Sequence, residues 1–80
     1  MAIKYTKHAK EMLVLRRIKK DLADETVNNP DEISPAKEGK KTYLKDFGKN
    51  YLMLVVSEEE NDKIVVTLHW LAKRRVKKVK

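Results

Sequence analysis

The sequence predicts an α+β fold in one domain, with two N-terminal helices packed on one face of a small antiparallel β-meander. Three observations carry this expectation. Apolar residues recur at helical spacing from Ala9 to Val27 and stop at Asn28-Asn29-Pro30. Three runs of β character then lie between Thr42 and Leu71, separated by turn-type or charged residues. The chain has 80 residues, enough for one core and too few for two.

Ile3 to Tyr5 reads as a short extended start, and Thr6 as an N-cap whose hydroxyl accepts from an amide of the first turn. Ala9, Met12, Leu13 and Ile18 then recur at near-helical spacing, with Lys7, Lys10 and Glu11 on the polar side. A second apolar set, Leu22, Ala23, Thr26 and Val27, lies on a different side from Val14 and Leu15. The pattern therefore predicts two helices joined around Arg17 to Lys20. Pro30 stops the second, because the residue before a proline avoids helical dihedrals. Asp31 to Gly39 is polar, holds Pro35, and reads as loop with at most a ragged strand. Thr42–Phe47, Tyr51–Ser57 and Lys63–Leu71 form the meander, closed by Gly48-Lys49-Asn50 and by the charged stretch Glu58 to Asp62.

Alternation assigns faces on the last strand. Ile64, Val66, Leu68 and Trp70 form a wholly apolar set that should meet the helices. Val65, Thr67, His69 and Leu71 are then left on the open face. The expected core comprises Leu13, Leu22, Val27, Leu54, Val66 and Leu68.

Charge is unevenly spread. Nineteen Lys and Arg against twelve Asp and Glu give a net charge of +7. Residues 1–23 hold seven bases and two acids, residues 24–62 five bases and ten acids, and Leu71 to Lys80 six bases and no acid. Residues 1–71 read as the folded domain and 72–80 as a basic tail. Poles of this kind suit a polyanion, since Lys and Arg release counterions condensed on a phosphate backbone. A solvated, solubilising surface is the plainer alternative. The absence of cysteine excludes a disulfide scaffold and a thiolate zinc site. No apolar run nears the ~18 residues of a membrane span, so a soluble, cytoplasmic protein with no membrane partner is expected.

Tyr5-Thr6-Lys7-His8-Ala9, then Met12, Arg16, Ile18, Leu22, Thr26, Val27 and Asn29-Pro30, form an ordered series. It resembles a family of short prokaryotic domains of unassigned function. That family opens on a Thr-x-His-Ala helix start, joins two helices through Arg-Gly-Ile, and ends the second at Asn-Pro. The family is similar to a branch of the RelE/ParE toxin superfamily, which includes the BrnT toxins. The resemblance covers residues 3–71, most sharply 5–30. It implies two helices on an antiparallel sheet, RNA as partner (ribosome-bound mRNA for several relatives), a small antitoxin protein, and a metal-independent endoribonuclease chemistry. Arg17 departs from the family's glycine and Lys19 from its capping Ser or Thr. The tail Ala72-Lys73-Arg74-Arg75 is similar to the basic ends of several toxins.

RNA cleavage needs only a base for the 2′-hydroxyl, cations for the phosphate and an acid for the leaving oxygen. No cofactor and no metal are expected, and no Cys or carboxylate cluster flanks either histidine at ligand spacing. Ser34 and Ser57 lack a neighbouring His, and two glycines cannot build a phosphate loop. His69, with an ordinary pKa near 6.5, is the first candidate for proton transfer. Lys45 is a candidate phosphate clamp and Tyr43 a stacking or acid residue, provided their face is also the open one. His8 is a further catalytic candidate beside a structural role at the helix start. Arg16, Arg17, Lys73, Arg74, Arg75, Lys77 and Lys78 are candidates for nucleic-acid contact. Two readings stay open: a toxin-like RNA-binding protein with endoribonuclease activity, and a non-catalytic nucleic-acid or protein binding module of the same fold.

Overall fold

The hydroxyl of Thr6 starts the first helix as expected, accepting from the amide of Ala9 at 3.0 Å. In the computed structural model, which describes residues 2–72, this helix is α1, Lys7–Leu15, and it follows strand β1, Ala2–Tyr5. Its apolar stripe, Ala9, Met12 and Leu13, packs on the core. α1 ends in a Schellman motif. The amide of Ile18 donates to the carbonyl of Leu13 at 2.8 Å and that of Arg17 to Val14 at 3.2 Å, satisfying carbonyls that a helix end leaves open. The motif needs a left-handed residue between, and Arg17 fills it with φ of +55°. Arginine carries a Cβ cost there that glycine would not. Ile18 is buried just beyond and anchors the turn.

The second helix, α2, Lys20–Asn28, starts at Lys19 with no side-chain cap and ends before Pro30. The two-helix expectation holds, with the joint where the pattern placed it. Ala23, Thr26 and Val27 are buried, and the Thr26 hydroxyl donates to the carbonyl of Leu22 at 2.9 Å.

Four more strands complete the sheet: β2, Glu32–Pro35; β3, Lys41–Asp46; β4, Asn50–Glu59; and β5, Asp62–Ala72. They stand in the order β1-β5-β4-β3-β2. β3, β4 and β5 form the expected meander. The sheet is larger and of a different kind, however, because β2 pairs antiparallel with β3 and β1 pairs parallel with β5. The fold is α+β with two helices on a five-stranded mixed sheet, in one compact domain. Among the described residues no helix is long and apolar enough to cross a membrane.

The face assignment on β5 requires a correction. Val55 pairs with Thr67 but Val56 pairs with Val65, so Val66 is an extra residue in β5. This β-bulge shifts alternation by one position. Beyond it Leu68 and Trp70 face the helices as expected; before it Val65 does so, not Ile64. Val66 is half-buried and outside the core proper. Val27, Leu54 and Leu68 are buried as expected, while Leu13 and Leu22 pack half-buried against the core.

Leu68 is fully buried opposite Leu54. Truncating it to Ala should cost about 2–5 kcal/mol in urea unfolding, and a loss below about 1 kcal/mol would contradict its place in the core. Arg17→Gly should raise stability by about 0.5–1 kcal/mol in the same assay by relieving the left-handed strain.

Candidate functional site

β5 carries two of the polar side chains of interest because of its bulge. From Thr67 onward its odd-numbered residues face away from the helix layer, with Thr67 opposite Val55 and His69 opposite Met53. β1 reaches only as far as Val65, and the chain enters α1 immediately beside the bulge. There the Thr6 amide donates to the Val65 carbonyl at 3.1 Å, and the Thr6 hydroxyl to the Val66 carbonyl at 3.1 Å. His8, one residue into α1, is thereby brought against β5. Its Nε2 lies 3.3 Å from the Thr67 hydroxyl, although fifty-nine positions separate them in the chain.

His69 stands two residues further along the same strand face, a spacing of about 7 Å. It is half-buried. Burial pushes its pKa below the ordinary 6.5, and the positive charge of Arg16 lowers it further, because both disfavour the imidazolium. Arg16 closes α1 and its Nε donates to Met12 Sδ at 3.5 Å. The two histidines, the Thr67 hydroxyl and a guanidinium therefore gather beside the C-terminal half of β5. Among the described residues no three His, Asp or Glu side chains gather as metal ligands would.

Tyr43 and Lys45 do not join them. Tyr43 pairs with Leu54 and Lys45 with Leu52, both on the helix side of the sheet, so the condition set for their candidacy, an open face shared with His69, is not met. Tyr43 is fully buried. Its hydroxyl donates to Glu58 and accepts from Lys63 Nζ at 2.6 Å, while Lys63 also reaches Glu58 at 3.0 Å. Lys63 also lies 5.2 Å over the tyrosine ring. Burial and the neighbouring Glu58 raise the phenol's pKa. Lys45 Nζ donates to the carbonyl of Asn29 at 3.0 Å and so closes the C-terminal end of α2. Both side chains are engaged in contacts within the domain. Arg17 sits at the helix joint and is exposed. Lys73, Arg74, Arg75, Lys77 and Lys78 lie outside the described residues.

The residue that pattern reading missed is Thr67. It carries no motif of its own, and only the register of β5 against β4 and the approach of α1 give it a histidine partner. The chain matches no protein-family model, no curated protein and no solved structure.

The Tyr43 cluster has a pH signature. Hydrogen bonds from Tyr43 and Lys63 hold the Glu58 carboxyl near 2, against an ordinary 4.5. The folded state thus binds this proton more weakly than the unfolded chain. The stabilisation is whole above 4.5 and lost as pH falls towards 2. Glu58→Gln should therefore be less stable than the parent at neutral pH, and the gap should narrow on acidification through that window when stability is followed by urea titration.

Proposed function

We propose that this protein is a RelE-like, toxin-type RNA-binding protein that cleaves RNA through His69 and His8. The observation that carries the reading is the His8–Thr67 contact, which puts both histidines of the chain beside one stretch of β5, next to Arg16.

The chemistry follows from the positions. His69, whose uncharged form is favoured by burial and by Arg16, takes the proton of a ribose 2′-hydroxyl. The 2′-oxygen attacks the adjacent phosphorus and the bond to the 5′-oxygen breaks. His8 returns a proton to that leaving oxygen, producing a 2′,3′-cyclic phosphate. Arg16 stabilises the charge that builds on the phosphoryl oxygens. Thr67 orients the His8 ring and acts only through it. His8 reaches the strand at Thr67, and His69 stands two residues, about 7 Å, further along it, so a phosphodiester lying beside this stretch would meet both imidazoles. The reaction requires proton transfer and charge stabilisation, and imidazole and guanidinium groups supply both.

RNA is favoured over DNA because this route uses the 2′-hydroxyl. The excess of bases in residues 1–23 and after residue 71 would draw the polyanion in. The sequence resemblance to the RelE/ParE superfamily supports the same reading and adds two proposed partners, ribosome-bound mRNA and a small antitoxin protein.

Cleavage of a labelled RNA, with and without ribosomes, tests the proposal. His69→Gln and His8→Gln should each keep the fold and lower cleavage by about 10²–10⁴-fold. The ascending limb of the pH profile should lie below the ordinary imidazole value, because burial and Arg16 lower the pKa of His69. Arg16→Ala should move that limb upward as well as lowering the rate. Cleavage absent from the parent protein under both conditions, or unaltered in His69→Gln, would overturn the enzyme reading. Salt-dependent RNA binding without cleavage would instead establish a binding module.

A further inference from the structure

The sheet face turned away from the helices is apolar at its centre. Tyr43, Leu52, Leu54 and Leu68 on the helix side are fully buried, whereas Leu44, Met53, Val55 and Leu71 on the other side keep part of their surface exposed. Charge of opposite sign flanks this centre, and the pairing register fixes its order. Glu32 pairs with Leu44, Leu44 with Met53, and Met53 with His69. One row across four strands thus runs from a carboxylate, through two apolar side chains, to an imidazole beside Arg16. With strands about 4.8 Å apart, the ends of the row are roughly 14 Å from one another. The next row runs Ser34, Thr42, Val55, Thr67, with a hydroxyl at either end.

We propose that this face is a two-fold interface between two copies of the chain. An axis lying in the interface, parallel to the strands and midway between β3 and β4, reverses the strand order and sets each row against itself. Leu44 of one protomer then meets Met53 of its partner, Glu32 meets His69 with Arg16 beside it, and Ser34 meets Thr67. Each contact occurs twice, so acid faces base at both ends of the row. An axis along the row would instead set Glu32 against Glu32. Sheets stacked in this way keep their strands within about 30° and interdigitate their apolar side chains. Nucleic acid is disfavoured over the centre of this face, because Glu32 repels phosphate and Tyr51 is the only large aromatic ring on it among the described residues. A bilayer is disfavoured because the hydroxyls of Ser34, Thr42 and Ser57 would lose water to hydrocarbon. The patch measures roughly 15–20 Å each way, the size of a reversible contact and not of an obligate one. The contact stands without the RNA-cleavage reading. Joined to that reading, it lays the partner's Glu32 over His69, so that the dimer is a closed form of the site.

Sedimentation velocity of the full-length protein from about 1 to about 500 µM tests the proposal, and a reversible monomer–dimer equilibrium in the micromolar range is expected. Met53→Lys should weaken it by about tenfold or more. Glu32→Arg and His69→Glu should each weaken it. The double variant, which exchanges the charges across the two-fold axis, should regain most of the parent's affinity. Val14→Ser, at an exposed position of α1, should leave it unchanged. None of these residues belongs to the buried core, so circular dichroism of each variant should match the parent. A protein monomeric throughout that range would overturn the proposal, as would a dimer indifferent to Met53→Lys or one lost in Val14→Ser. No recovery in the double variant would overturn the two-fold register. An RNA oligonucleotide that shifts the parent towards monomer would support closure over His69, whereas RNA bound by an undissociated dimer would overturn it. A monomeric parent whose RNA binding is lost in Met53→Lys would assign the face to nucleic acid instead. Dimerisation without cleavage would leave this inference in place and remove only the enzyme reading.

Discussion

The extra residue at Val66 governs the arrangement of the molecule. A bulge frees a backbone carbonyl from the ladder, and a freed carbonyl in a partly buried place needs a donor. The Thr6 hydroxyl supplies it while accepting from the Ala9 amide. One side chain thus ends β1, caps α1 and pins both to β5. The same bulge turns Val65 and Leu68 into the core although three positions separate them, and leaves Thr67 and His69 on the other face. Loss of the bulge would reverse one half of β5, burying polar groups and exposing aliphatic ones.

The helix layer is held with less economy. Arg17 occupies a left-handed position and Lys19 begins α2 without a side-chain cap, so the joint rests on the Schellman hydrogen bonds and on burial of Ile18. At the far end of α2, Lys45 closes the last turn through Asn29. The Tyr43–Glu58–Lys63 cluster fastens β3, β4 and β5 together at one end of the sheet, and a buried phenol is tolerable there because its oxygen is satisfied both as donor and as acceptor. These residues carry charge and chemistry of the kind sought at active sites, yet their partners are internal.

Among the described residues, Lys7, Lys10, Arg16, Arg17 and Lys19, five cations of α1 and its joint, make no ion pair with a carboxylate. His8 and Arg16 lie beside β5, and Lys7, Lys10 and Arg17 belong to the outward side. A single nine-residue helix therefore contributes both to the histidine cluster and to the exposed aliphatic pair Val14 and Leu15.

Local sequence determined the features whose signals lie within a few residues of their effect. The cap at Thr6, the joint at Arg17, the stop before Pro30 and the three meander strands were all legible, because capping, proline geometry and alternation act over one or two turns of chain. His8, His69 and Arg16 stood out by residue type alone. Tertiary structure decided how they combine. The parallel pairing of β1 with β5, the addition of β2 and the extra residue at Val66 depend on contacts between segments far apart in the chain, and none leaves a local mark. An unbroken alternation put Val66 in the core and Val65 in solvent; pairing with β4 reversed them. The face of Tyr43 and Lys45, left open by the sequence, was decided towards the helices for a related reason, since the face of a strand is set by which of its neighbours can be buried and not by its own polar residues.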